Sequence, residues 1–145
     1  MREMVRVTRP GGHGCISSWD DPRTVASVGL LVEAMAEVFP DRETIPVPTG
    51  VLMAAEPGAL RKALLDAGFR EATVQSVEVV WEVPSVEEFT AHLDEAYGFM
   101  PLYYGMTNDD RDRLAPALRT AAQRRAGSDG SLRAVTTAHL AAGRV

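Results

Sequence analysis

Apolar residues along the chain fall into stretches of two different periods, and the alternation predicts a mixture of helices and strands. Val25, Val28, Leu31, Val32, Met35, Ala36 and Phe39 recur at steps of three and four, with Glu33 and Glu37 on a wetter side, so residues 22–38 read as a helix. Asp21-Pro22 is a good opening for it, because the carboxylate can accept from free backbone N–H groups and the proline sits where its missing N–H costs nothing. Pro40 stops it. Leu60, Leu64 and Leu65 mark the buried side of a second helix over 57–67, with Gly68 placed as a left-handed cap and Phe69 folding back onto the last turn. Over 71–83 the period falls to two: Val77, Val79, Trp81 and Val83 point one way and Glu78 and Glu82 the other, a strand with one wetter face. Ser85-Val86-Glu87-Glu88 is a capping-box pattern that opens a third helix carrying Phe89, Leu93, Ala96 and Tyr97.

The remaining segments are shorter or more broken. Residues 1–8 are too few to decide between the last turns of a helix and an extended lead-in. Pro10-Gly11-Gly12 punctuates, and HGCISSW over 13–19 reads as a strand with small or apolar residues on both faces, suited to the interior of a parallel sheet and leaving Cys15 as a small core residue. Residues 41–55, with Pro46, Pro48 and Gly50, read as a loop in which 51–54 can pack as an apolar patch. The aromatic run 98–105 is broken by Gly and Pro. A further helix begins at 107–110, acidic first and Arg-rich last, which Pro116 is expected to kink or divide. Ser128 to Ser131 makes a turn, and 132–140 a closing strand.

Composition narrows the class. With 145 residues, 46% hydrophobic and 24% charged, the chain is expected to form a single globular domain over 1–145. A formal net charge of -5 argues against nucleic acid as a partner, since phosphate binding draws on a surplus of Lys and Arg. The pair Arg124-Arg125 falls at a predicted helix end, where it complements the macrodipole. One cysteine allows no internal disulfide and no zinc cluster, and no apolar run reaches the length of a membrane span. The charged N-terminal residues lack the apolar run of a signal peptide, so a cytoplasmic location is expected.

Three segments, in order, carry a family resemblance. EMVRVTRPGG over 3–12 resembles the passage E-x-x-R-V-L-K-P-G-G of the class I S-adenosylmethionine-dependent methyltransferases, in particular the ubiquinone and menaquinone biosynthesis group, where it joins a helix end to the fifth strand. LRKALLDAGF over 60–69 resembles their helix ending in L-x-x-A-G-F before the sixth strand, and 81–89 their passage into a substrate-side helix. The resemblance implies an α/β, partial Rossmann-like methyltransferase fold: strands 5, 7 and 6 with covering helices, the last strand antiparallel, and a helical substrate-lid-like insertion over 84–127. The Gly-rich cofactor loop and the ribose-binding acidic residue belong to a half that the resemblance puts before residue 1. Gly11, Gly12 and Gly14 are no substitute, because they precede a strand, whereas a cofactor loop follows one. S-adenosylmethionine is thus implied by the family but not expected to bind this chain alone.

Methyl transfer to a small organic acceptor follows as the expected activity of the intact form. Ligands of open α/β sheets bind beyond the carboxyl ends of parallel strands, which makes Trp19 and Asp20 candidates for acceptor contact, although Asp20 or Asp21 competes as a helix cap. Tyr97, Tyr103 and Tyr104 are candidates for an apolar acceptor pocket, against ordinary packing. Among His13, His92 and His139, His92 on the lid helix is the first candidate for a general base, against a structural or merely exposed role. A Ser-His-Asp triad is compatible with the composition, but no G-x-S-x-G nucleophile turn occurs. The exposed fifth strand implies a homodimer or association with the missing half. The alternative is a non-catalytic dimeric ligand-binding or interaction module derived from such an enzyme.

Overall fold

The computed structural model describes residues 1–21, 24–42 and 48–145. Eleven elements follow one another in these residues: α1 (Arg2–Val7), β1 (His13–Trp19), α2 (Ala26–Val38), α3 (Thr49–Ala54), α4 (Pro57–Ala67), β2 (Glu71–Val83), α5 (Val86–Ala91), α6 (Leu93–Tyr97), α7 (Pro101–Tyr104), α8 (Asn108–Arg125) and β3 (Leu132–Arg144). The class is mixed α/β with a three-stranded antiparallel sheet of order β1-β3-β2, so the last strand lies between the first two. β1 runs antiparallel to β3, with His13 opposite Arg144 and Trp19 opposite Ala138.

Local chemistry explains the boundaries. Gly68 ends α4 at φ +111°, the left-handed conformation that glycine adopts without a Cβ clash, and the Phe69 N–H donates to the Leu64 carbonyl at 3.2 Å. Ser85 caps α5 by accepting from the Glu88 N–H at 3.0 Å, and Thr107 caps α8 by accepting from the Asp110 N–H at 3.2 Å. Gly11 makes the turn before β1 at φ +75°.

Several expectations need correction. β1 is an end strand in antiparallel pairing rather than an interior strand of a parallel sheet. Its small residues carry too little periodicity to show which neighbours it would find. Cys15 is exposed, not core, because only Gly14 of the strand is buried. The loop expected over 41–55 contains α3, whose Val51, Leu52 and Met53 stay exposed, so they form no packed patch. The third helix breaks at His92, whose φ of -121° leaves the helical region and separates α5 from α6. α8 continues through Pro116 as one helix of 18 residues rather than dividing. The first eight residues hold a helix, and β3 extends four residues past 140. The opening of α2 expected at Pro22 lies outside the described residues, as does Pro46. Among the described residues the helix starts at Ala26.

Two compact units share the chain. The first comprises Met1–Thr24, Val47–Val79 and Thr136–Val145; the second comprises Val25–Pro46 and Val80–Val135, and so contains the expected insertion over 84–127 together with α2. In the first unit one sheet face, with Ile16, Ala72 and Ala141, packs on Leu60, Leu64 and Phe69. The other face, with Cys15, Ser17, Thr73, Gln75, Leu140 and Ala142, borders an open cleft of about 540 Å3. The second unit closes around Leu30, Leu31, Phe89, Tyr97, Leu114, Leu118 and Leu132. Each fully buried leucine there stabilises the fold by about 1.5–3 kcal/mol before entropy is counted.

Candidate functional site

At the carboxyl end of β1 three polar side chains of the first unit converge. Register places Ser18 opposite His139, and beyond Trp19 the Asp20 N–H donates to the Thr137 carbonyl at 2.9 Å. His139 is buried, at 3% exposure, and both ring nitrogens have partners. Nε2 lies 2.9 Å from the carbonyl of Ala55, the residue that ends α3, and a carbonyl can only accept. The neutral ring therefore carries its proton on Nε2 and presents a lone pair on Nδ1. The Ser76 hydroxyl, 2.9 Å away on β2, donates to that lone pair. The Asp20 carboxylate stands 3.7 Å from Nε2, too far for a hydrogen bond but near enough to attract an imidazolium. The cluster can thus take a proton from an exposed hydroxyl and hold the resulting charge.

The second unit carries a different polar site. Tyr103 is buried, its hydroxyl donates to Asp94 Oδ1 at 2.8 Å, and the Arg111 guanidinium lies over its ring at 4.9 Å. Burial first, and then the Asp94 carboxylate, push the Tyr103 phenol up to about 12. A cleft of about 330 Å3 runs past Thr90, His92, Asp94, Tyr103, Asn108 and Arg111. His92 sits on its rim, exposed, with Nδ1 donating to the Glu88 carbonyl at 2.9 Å. That bond, followed by the carboxylates of Glu88 and Glu95, raises its pKa from the ordinary histidine value.

The candidates named from sequence separate accordingly. Trp19 and Asp20 lie in the first unit, with Trp19 44% exposed. His92 and Tyr103 meet at one cleft of the second unit. Tyr97 is fully buried, packs edge-on against Phe89, and donates its hydroxyl to the Ser27 carbonyl at 2.8 Å. Burial raises its pKa strongly. Tyr104 is 74% exposed. The partnership of Ser76 with His139 escaped the sequence, because nothing in two distant strands reveals their register. A histidine set among alanines and leucines of a closing strand was the one available signal. No three His, Cys, Asp or Glu side chains gather as a metal site among the described residues, and none of their helices is long and apolar enough to cross a membrane. Compared with known proteins, the chain matches no family model and no curated sequence.

Proposed function

We propose that this chain is the acceptor-side half of a class I, Rossmann-like S-adenosylmethionine-dependent methyltransferase, whose intact form methylates a small organic molecule. The observation that carries the proposal is the strand order β1-β3-β2, with the last strand between its two neighbours. It is the order that the resemblance implies for strands 5, 7 and 6. Further support comes from the helices: those between β2 and β3, over the segment expected as a substrate-side insertion, share one core with α2, which follows β1. The cleft of that unit beside His92 and Tyr103 is the proposed acceptor contact.

Gly11 and Gly12 are not arranged as a cofactor loop for S-adenosylmethionine. Gly11 and Gly12 lie between α1 and β1 and are tied to the end of β3, with the Gly11 N–H donating to the Val145 carbonyl at 2.8 Å and the Val145 N–H donating to the Gly12 carbonyl at 3.0 Å. That backbone is committed to the sheet end and opens no helix. The cofactor would come with the other half, and this chain would orient the acceptor, which is most of what methyl transfer demands of a protein. The coding sequence in frame before Met1 tests the proposal. A strand, Gly-rich loop and helix there is the expected result; an upstream stop codon with no separately encoded cofactor half would contradict it.

A further inference from the structure

Ser76 and His139 belong to no step of methyl transfer, yet they are arranged for chemistry of their own. Among the described residues, the groups that meet the His139 ring are the Ser76 hydroxyl from β2, the Ala55 carbonyl from α3 and the Asp20 carboxylate beyond β1. The Ala55 carbonyl fixes the tautomer, because the other one would set a lone pair against a lone pair in a buried place. The Nδ1 lone pair is therefore held toward Ser76. The imidazole is buried, whereas Ser76 itself is exposed. An electrophile can therefore reach the hydroxyl, and groups bonded at Oγ come beside Nδ1, 2.9 Å from it.

We propose that Ser76 is a nucleophile activated by His139, with Asp20 as a charge-stabilising neighbour, and that it accepts acyl groups from small activated esters. Ser76 Oγ bonds to the ester carbonyl carbon while its proton passes to His139 Nδ1. The bond from that carbon to the leaving oxygen breaks, and the leaving group takes the proton from Nδ1. Water then attacks the acyl-serine, gives a proton to Nδ1, and Oγ recovers it on departure, so ester and water become acid and alcohol. The Asp20 carboxylate lowers the energy of both steps by attracting the imidazolium that forms. A buried histidine that merely straps β2 and β3 to α3 would show the same hydrogen bonds, but its partner would not react as a titrating base dictates.

The test uses the full chain and p-nitrophenyl acetate, with nitrophenolate release followed alongside peptide mapping. One acetyl group on Ser76 is expected, formed at a rate that rises with pH through a single titration and then levels. Ser76→Ala should abolish both the label and its share of the release. Asp20→Asn should slow acylation on the order of tenfold, the scale of one half-exposed carboxylate close to a buried ring. Ser76 unlabelled, or labelled at a rate that climbs with hydroxide without levelling, would overturn the proposal; an unchanged rate in Asp20→Asn would overturn the part given to Asp20.

Discussion

Gly14 and Gly143 face each other across β1 and β3, and the Phe69 ring occupies the space where their side chains would stand. A Cβ on Gly143 would lie 2.5 Å from Phe69 Cγ, and one on Gly14 would lie 2.8 Å from Phe69 Cζ. The ring is 3% exposed and packs with Leu60 and Leu64, so it has nowhere to retreat. Gly143→Ala should therefore cost about 1–3 kcal/mol in urea unfolding, the usual penalty of overpacking. A loss below a few tenths would show that the ring shifts freely. Tyr103 makes a second prediction at this scale. Its phenol titrates near 10 when unfolded and about 12 when folded, so between these values the unfolded chain has lost a proton that the folded chain keeps. The stability that Tyr103 contributes is complete below pH 10 and is lost as the pH rises toward 12. Unfolding midpoints measured across that range should drop for the natural chain and drop less for Tyr103→Phe.

The pairing of α2 with α8 decides whether charge or burial holds an element. Arg125 reaches Glu33 at 2.7 Å, and Arg124 reaches Glu33 at 3.0 Å and Glu37 at 3.4 Å, but the arginines are exposed and such pairs contribute about 0–1 kcal/mol each. Leu118, fully buried in the same cluster as Leu30 and Leu31, stabilises the pairing more than any of these ion pairs. Leu118→Ala should cost about 2–5 kcal/mol, while Arg125→Ala should cost under about 1; equal losses in denaturant titrations would refute this ordering. β1 poses the element-scale question of association. It ends the sheet, and its outward residues Cys15, Ser17 and Trp19 bring no charge to discourage pairing. Light scattering during size exclusion at micromolar concentration should give a dimer for the natural chain and a monomer for Ser17→Lys. A clean monomer for the natural chain would contradict the proposed association.

For the whole molecule, what could be read in advance depended on range. Segments with strong period or local punctuation were legible: β2 spans the residues over which Val77 to Val83 alternate, α4 ends at Gly68, Ser85 caps α5, and α8 begins after Thr107. Features decided by distant partners were not. Cys15 faces outward because it lies on the sheet face that borders the open cleft, and α3 forms although Pro48 and Gly50 read as punctuation. Pro116 sits inside α8 where buried Leu114, Ala117, Leu118 and Ala121 hold the helix on either side of it. The candidate sites divide in the same way. His92 and Tyr103 were each candidates by residue type in the segment expected as an insertion, whereas Ser76 and His139 are joined only by strand pairing.

The central claim, that this chain is the acceptor-side half of a methyltransferase, is tested most directly by calorimetric titration of S-adenosylmethionine. Two samples are compared: the 145-residue chain, and the same chain extended by the coding sequence in frame before Met1. Heat of binding with micromolar affinity in the extended chain and none in the shorter one is the result predicted. Micromolar binding by the shorter chain would contradict it, as would none by either where no cofactor half is separately encoded.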